Sequence, residues 1–280
     1  MSFLLTLALL AGSWSADNWH AEIVETRTIR ETIPLEGLRS FAVDNLYGAI
    51  TAVGDSGSDI RMVVSERIEA VDRAALEQAR REVTLEISTD GDRILVCVDG
   101  PFREPNDCED WTRNLRPRRQ YRVVYEFELR VPRSIDLAVR TIEGDLDVSD
   151  VRGRLEVGGV QGKVEIAGAA GPVKAGTVNG PVHVRFAENP REDSTFGTVN
   201  GEIDVVFQPD MSADLSFDTM NGEVLTDFEH KILPPVAKRT ESQNAGTTYR
   251  LEVDSAIRIG HGGPRHRFTN INGDITIRRN

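Results

Sequence analysis

Glu202 and Asp204 are the two residues best placed by type and spacing to do acid–base chemistry. One residue, Ile203, separates them in an alternating segment, so on a β-strand both side chains would point to the same face. Glycoside hydrolysis needs two such carboxylates, one as acid and one as base or nucleophile. The equivalent positions of neighbouring segments carry no aromatic side chain for sugar stacking. The pair therefore makes a secreted carbohydrate-active enzyme the alternative hypothesis, because outward acidic residues are also what a soluble acidic protein displays.

Two patterns could bind a metal, and both are incomplete. His261 and His266 flank Gly262-Gly263-Pro264, but no neighbouring Cys, Asp or Glu completes a ligand set, and we interpret both as loop residues. Nine-residue repeats also build calcium β-rolls, which need a G-G-x-G-x-D turn. The turns of this chain have one Gly and no repeating Asp. We predict no metal and no cofactor.

The chain has two cysteines, Cys97 and Cys108. An even number at short separation favours a disulfide in an oxidising compartment. The alternative is one buried thiol in a strand at 93–98 and one incidental loop thiol. Both interpretations fit the sequence.

Most of these residues lie in or beside a repeated segment. The octapeptide T-V-N-G-P-V-H-V at 177–184 recurs at 198–205, in shorter form at 219–224, and at 270–277. Self-similarity at a fixed period indicates stacked repeats. Asn and Gly suit tight bends, and stacked Asn amides can hydrogen-bond between layers. We therefore predict a structural turn ladder, not a catalytic site, made of Asn179, Gly180, Asn200, Gly201, Asn221, Gly222, Asn272 and Gly273.

Nine-residue units precede the longer repeats. Glycines spaced nine residues apart occur at Gly144, Gly153, Gly162, Gly171 and Gly180. Apolar residues fall two before and two and four after each glycine, as in Val160, Val164 and Ile166, which predicts a strand with these side chains in the core. The apolar phase slips by one residue between units, which implies a corner. Two units make a coil of 18 residues, which grows to 21 beyond Gly180.

The predicted fold is all-β: a parallel β-solenoid of 18–21-residue coils with an N-terminal strand-and-helix region. One elongated domain spans 20–280, with a strand and helix insertion at about 54–132 and regular coils at about 133–228. A loop insertion follows at about 229–247, and a C-terminal coil at 248–280 closes the stack. In the first insertion, Asp72 is a helix N-cap, and a stripe of Leu76, Ala79 and Val83 should cover the sheet.

The N-terminus has the pattern of a secretory signal peptide, which we place at residues 1–15. Residues 3–11 form an apolar run followed by small residues, although no Lys or Arg precedes it. The alternatives are an apolar terminus or a misassigned start codon. No later segment is long and apolar enough to span a membrane. The sequence predicts export to the periplasm or the cell exterior.

The composition is that of a folded protein: 39% of the residues are hydrophobic and 28% are charged. The formal net charge is −12, so a nucleic-acid partner is excluded as a hypothesis.

The repeats, the Asn45–Ile50 segment N-L-Y-G-A-I and the closing N-I-N-G-D-I-T-I resemble the β-strand-repeat "putative adhesin" family of bacterial envelope proteins, whose function is unknown. The resemblance covers roughly residues 40–280. It implies a β-solenoid at the cell envelope and brings no catalytic residues. We therefore expect an exported, non-enzymatic binding or scaffolding protein. Its partner would be an envelope polymer or protein, and it could associate with itself through the solenoid ends.

Overall fold

The computed structural model describes residues 21–35, 37–102, 120–234, 236–242, 246–252 and 255–280. These residues are mostly β. In chain order the elements are β1 (Ile23–Pro34), β2 (Ser40–Asp44), β3 (Ile50–Asp55), β4 (Asp59–Ala70), α1 (Arg73–Glu82), β5 (Thr84–Asp90), β6 (Arg93–Asp99), β7 (Tyr121–Pro132), β8 (Asp136–Glu143), β9 (Leu146–Ser149), β10 (Leu155–Gln161), β11 (Val164–Ala169), β12 (Val173–Gly176), β13 (Val182–Phe186), β14 (Ser194–Asn200), β15 (Ile203–Phe207), β16 (Ala213–Asn221), β17 (Val224–Thr226), β18 (His230–Leu233), β19 (Val236–Ser242), β20 (Gly246–Glu252), β21 (Ser255–Ile259), β22 (Arg265–Asn272) and β23 (Ile275–Arg279).

The strands form two large mixed sheets. Sheet A has the order β1-β4-β7-β3-β9-β11-β13-β15-β23-β17, and sheet B has the order β18-β21-β16-β22-β14-β12-β10-β8-β2-β6-β5. Each strand from β8 to β13 pairs in parallel with the strand two places further along the chain, so the run of pairs ends at β15. Consecutive strands thus alternate between the sheets. We call one strand of sheet B, the turn after it and the following strand of sheet A a layer.

The core lies between the two sheets because alternate side chains of each strand point inward. Ile203 and Val205 of β15 are buried, and they pair with Val182 and Val184 of β13 in the layer beneath. The predicted helix is confirmed: the Asp72 carboxylate accepts a hydrogen bond from the backbone N–H of Ala75 at 2.7 Å. Its buried residues include Leu76 and Ala79, and the helix packs against β4 and β7.

The order of the layers differs from the order of the chain. The repeat at 270–277 was expected to close the stack, and this prediction is wrong. Strand β22 lies between β14 and β16, and β23 lies between β15 and β17, with parallel pairing on both sides. The last repeat is therefore inserted between the second and third Asn-Gly repeats. The Asn-Gly turn recurs in all four repeats, so this motif alone does not indicate the order of stacking.

Two further expectations are corrected. The segment at about 229–247, predicted as an exposed loop, contains β18 and the hairpin strands β19 and β20. Val160 does not face the core; it lies half-buried on the outer face of sheet B. In the equivalent units, the residue before the valine is buried instead, as in Thr177 and Thr198. Their hydroxyls donate to the carbonyl oxygens of Gly162 and Gly180 in the layer beneath, at 3.2 and 2.9 Å, which satisfies the buried polar group.

A buried carboxylate holds the edge strand β1. Glu66 lies on the core side of β4 with 3% of its surface exposed. The Tyr125 hydroxyl donates to it at 2.6 Å, and Arg27 Nη2 donates to the same oxygen at 2.9 Å, with a second bond from Arg27 Nε. Arg27 is the register partner of Glu66 across the β1–β4 pair. The edge strand is thus fixed to the core by a two-point ion pair.

Replacing Arg27 with methionine should lower the free energy of unfolding by about 2 kcal/mol, because it leaves Glu66 buried without its cation. We take a value below that for a fully buried pair, since the Arg27 side chain is 61% exposed. Urea denaturation measures the change. The control is Arg30→Met on the same strand, where the exposed side chain should cost little. Equal losses in the two variants would contradict the proposed role of the pair.

Candidate functional site

The turn ladder brings the four predicted Asn side chains together in the order of the layers. Asn200 Nδ2 donates to Asn179 Oδ1 at 2.8 Å, Asn272 Nδ2 to Asn200 Oδ1 at 2.7 Å, and Asn221 Nδ2 to Asn272 Oδ1 at 3.0 Å. All four are exposed. The amides therefore form one continuous chain along the corner between the sheets.

The turn glycines lie where adjacent layers approach most closely. A Cβ atom on Gly201 would come within 2.0 Å of the Gly180 carbonyl oxygen, and one on Gly273 within 2.0 Å of the Gly201 oxygen. Gly180 also has a φ of 153°, whereas Gly201 is not among the positive-φ residues. At Gly201 the requirement is thus the close approach of two backbones, not an unusual φ.

The carboxylates of the enzyme hypothesis contact polar side chains on the outer face of sheet A. Arg278 Nε donates to Asp204 Oδ1 at 3.0 Å, and its Nη2 binds Oδ2. Glu202 Oε1 lies 3.0 Å from His183 Nε2. Both carboxylates therefore bind side chains of adjacent layers, as cross-strand charge pairs commonly do.

The same face carries a second charge cluster. Lys163 Nζ lies 2.8 Å from Glu165 and 3.2 Å from Asp147, and these hydrogen bonds raise the pKa of Lys163 to about 12. Lys163 thus links Glu165 of its own layer to Asp147 of the adjacent layer. This arrangement can hold the layers in register.

The two histidines are separated. His261 is exposed after β21, whereas His266 is 1% exposed within β22, so interpreting His266 as a loop residue was wrong. Its ring stacks on Phe207 with the centroids 5.3 Å apart. Across the described ranges, no group of three His, Cys, Asp or Glu side chains could hold a metal ion.

Cys97 is buried on β6 and is disulfide-bonded. Cys108 lies outside the described residues, so the pairing of the two stays a prediction. The predicted signal peptide at 1–15 also lies outside them. In the part of the chain that the structure describes, no helix combines the length and apolarity needed to cross a membrane.

The outer face of sheet B carries a feature that the sequence reasoning missed. Six aliphatic side chains occupy equivalent positions, two residues before the turn glycine, on adjacent strands. Five are half-buried, and Met220 at one end is 74% exposed. We call this the aliphatic row, in layer order: Ile142, Val160, Val178, Val199, Ile271 and Met220.

Beside the aliphatic row runs a strip of glycine. Gly158, Gly176 and Gly197 are register partners on β10, β12 and β14. A Cβ atom on Gly158 would have no neighbour nearer than 3.9 Å, and one on Gly197 none nearer than 3.6 Å. The fold therefore does not require glycine at these two positions. We call the three residues the glycine strip.

Polar side chains border the other edge of the glycine strip. Glu156, Lys174, Thr195 and Arg267 are register neighbours across four strands. Glu156 accepts hydrogen bonds from Arg140 and Lys174, both at 2.9 Å. Along each strand of this face, from the turn inward, the amide ladder is followed by the aliphatic row, the glycine strip and the polar row. Such a surface can bind an extended molecule lying across the strands.

Comparison with known proteins gives fold-level likeness only. No protein-family model and no curated protein matches the sequence. The chain is similar to a crystal structure of a putative cell adhesion protein from Clostridium sporogenes, with 9% identity, a TM-score of 0.45, and 91% of this chain and 100% of that chain covered. A putative adhesin from Bacteroides fragilis has 9% identity and a TM-score of 0.34 over 93% and 98% of the two chains. A putative lipid binding protein from Parabacteroides distasonis has 11% identity and a TM-score of 0.30 over 91% and 96%. With TM-scores below 0.5, these likenesses carry no argument about function.

Proposed function

We propose that this chain is an exported, non-enzymatic binding protein of the cell envelope, built as a β-solenoid of 18–21-residue layers. Its binding surface is the outer face of sheet B, between the aliphatic row and the polar row. The parallel pairing of β8 to β15 supports the solenoid description. A stack of this kind offers an extended surface suited to binding.

The glycine strip carries the proposal. Glycine inside a strand costs about 0.5–1 kcal/mol relative to alanine, so three in register are a liability unless they serve a purpose. Close packing explains the turn glycines, but it does not explain Gly158 or Gly197, where a Cβ atom would have room. A strand glycine of this kind marks a place where a ligand or another backbone approaches closely.

The shape of the surface indicates the kind of partner. The aliphatic row crosses six strands, which at about 4.8 Å per strand gives a length of about 24 Å. A partner that follows it must be extended, run perpendicular to the strands and present an apolar face. The net charge of −12 opposes a strongly anionic polymer. An uncharged or weakly charged envelope polymer meets these conditions.

Replacing Gly158 and Gly197 with threonine should weaken binding at least about tenfold, because the new side chains fill the strip. The same change should leave the melting temperature unchanged or raise it, since threonine favours strands. Co-sedimentation of the purified protein with peptidoglycan and envelope polysaccharides measures the binding, and released soluble fragments are scored separately.

The matched control is Ala167→Thr, which adds a side chain to an exposed position on the outer face of sheet A. It should bind like the wild type. Equal binding by the glycine variant and the wild type would place the binding surface elsewhere. Fragment release that disappears on Glu202→Gln with Asp204→Asn would establish the alternative, a carbohydrate-active enzyme.

A further inference from the structure

We call β22, the turn at Gly273 and β23 the inserted layer. The two layers on either side of it have matching residues at their turns. Thr198, Asn200 and Gly201 of the layer on one side match Thr219, Asn221 and Gly222 on the other. The amide contacts of Asn272 to these two layers are nearly the same, at 2.7 and 3.0 Å. A Cβ atom would meet a carbonyl oxygen at 2.0 Å at both Gly273 and Gly222. The two outer layers therefore present matching turn residues to one another when the inserted layer leaves.

The seam around the inserted layer contains most of the buried polar side-chain atoms that lack a hydrogen-bond partner in the described residues. The described residues include five such atoms, and four of the five belong to β16 or β22. They are Ser216 Oγ, Thr219 Oγ1, His266 Nδ1 and Asn270 Oδ1. Unpaired buried polar groups favour the open state, where water can bind them.

The connection to the inserted layer can change direction. Gly260, Gly262 and Gly263 lie between β21 and β22, and all three have positive φ values, of 58°, 77° and 154°. Glycine adopts both signs of φ at little cost, so a segment with three of them can redirect the chain. The layer and its hinge have the parts required for exchange between copies of one protein.

We propose that the inserted layer exchanges between two copies of this chain, each copy donating residues 265–279 to the seam between β14–β15 and β16–β17 of the other. The donated layer has the same sequence as the one it replaces, so it makes every contact of the original. The partner at this site is thus a second copy of the chain, joined by strand exchange and not by contact of outer faces. The exchange does not depend on the proposed polymer-binding surface.

Cross-linking between two full-length variants tests the exchange. One carries Asn200→Cys and the other carries Asn272→Cys; these side chains are hydrogen-bonded neighbours within one copy. After mixing at high concentration and mild oxidation, a disulfide between the two variants can form efficiently only in exchanged dimers. We expect at least about tenfold more mixed dimer than in the control pair, because neighbouring thiols react at a high effective concentration.

The control pair is Asn179→Cys mixed with Asn200→Cys, which are equally close but lie on layers that are not exchanged. Equal amounts of mixed dimer in both pairs would indicate random collision and overturn the proposal. Its absence from the test pair would also overturn it, provided that Asn200→Cys with Asn272→Cys in one chain forms an internal bond. If that bond does not form, Asn221→Cys with Asn272→Cys repeats the test on the other side of the layer.

Discussion

Replacing Gly201 with valine is expected to lower the free energy of unfolding by about 4 kcal/mol or more, which is exceptional for one substitution. The Cβ atom alone would lie 2.0 Å from the Gly180 carbonyl oxygen and 2.5 Å from its carbon. Both are backbone atoms of the layer beneath, so no side-chain rotation can relieve the contact. The layers must separate locally, which breaks the hydrogen bond that the Gly180 N–H donates to Asn200 and disturbs the amide ladder.

Thermal and urea unfolding of two variants, Gly201→Val and Glu202→Ala, compare the loss of stability at adjacent positions in the chain. The Glu202 side chain is 63% exposed and contacts the partly exposed His183 ring, so its loss should cost well under about 1 kcal/mol. Similar losses in the two variants would show that the close approach of Gly180 and Gly201 does not limit stability.

The sequence predicted those features in which a local physical requirement fixes the residue type. The Asn-Gly turns recur because two backbones approach at Gly180 and Gly201 and because the amides bond across layers. The strand between turns follows from period-two alternation, and Asp72 caps the helix through its own carboxylate. These are local requirements, and a local pattern can predict them.

The order of the layers is not a local property. Asn221 follows Asn200 by 21 residues, which suggests adjacent layers, yet Asn272 lies between them. The Asn-Gly turn is the same in these layers, so it does not distinguish one neighbour from another. Two features outside this motif favour the inserted order. Asn270 replaces the threonine of the other repeats and donates to the carbonyl oxygens of Gly201 and Gly273. The antiparallel pairing of β21 with β16 also brings the chain to this place before β22 begins.

The aliphatic row was not predicted, because hydropathy indicated that the valine two residues before each turn glycine would lie in the core. Val178 instead points outward and Thr177 is buried. The Thr177 hydroxyl donates a hydrogen bond to the Gly162 carbonyl oxygen. A buried threonine with a partner costs little, so hydropathy alone cannot choose between the two residues. One signal was available: Gly158, Gly176 and Gly197 are spaced by 18 and then 21 residues, the lengths of successive layers.

The burial of His266 should make the protein less stable as the pH falls from 6.5 to 4. Burial lowers the pKa of this histidine from 6.5 to about 4, and the nearby Asp193 carboxylate opposes the shift only in part. Above pH 6.5 the ring is neutral in both the folded and the unfolded chain, so it has no effect there. Between pH 6.5 and 4 the unfolded chain binds a proton that the folded chain excludes, and below pH 4 both forms are protonated. The two pKa values correspond to a total loss of about 3 kcal/mol.

Urea denaturation at pH 7.5, 6, 5 and 4 isolates this effect when wild type and His266→Phe are compared. Phenylalanine keeps a ring against Phe207 and cannot be protonated, so its stability should fall less over this range. Acidic residues with lowered pKa values, such as Asp214, add an acid-induced loss to both proteins, and the difference between the two curves removes it. His261→Gln, at an exposed position, should retain the wild-type pH dependence. Parallel curves for wild type and His266→Phe would show that this ring is not kept neutral by the fold, and the unpaired Nδ1 atom would then have access to a proton acceptor or to water.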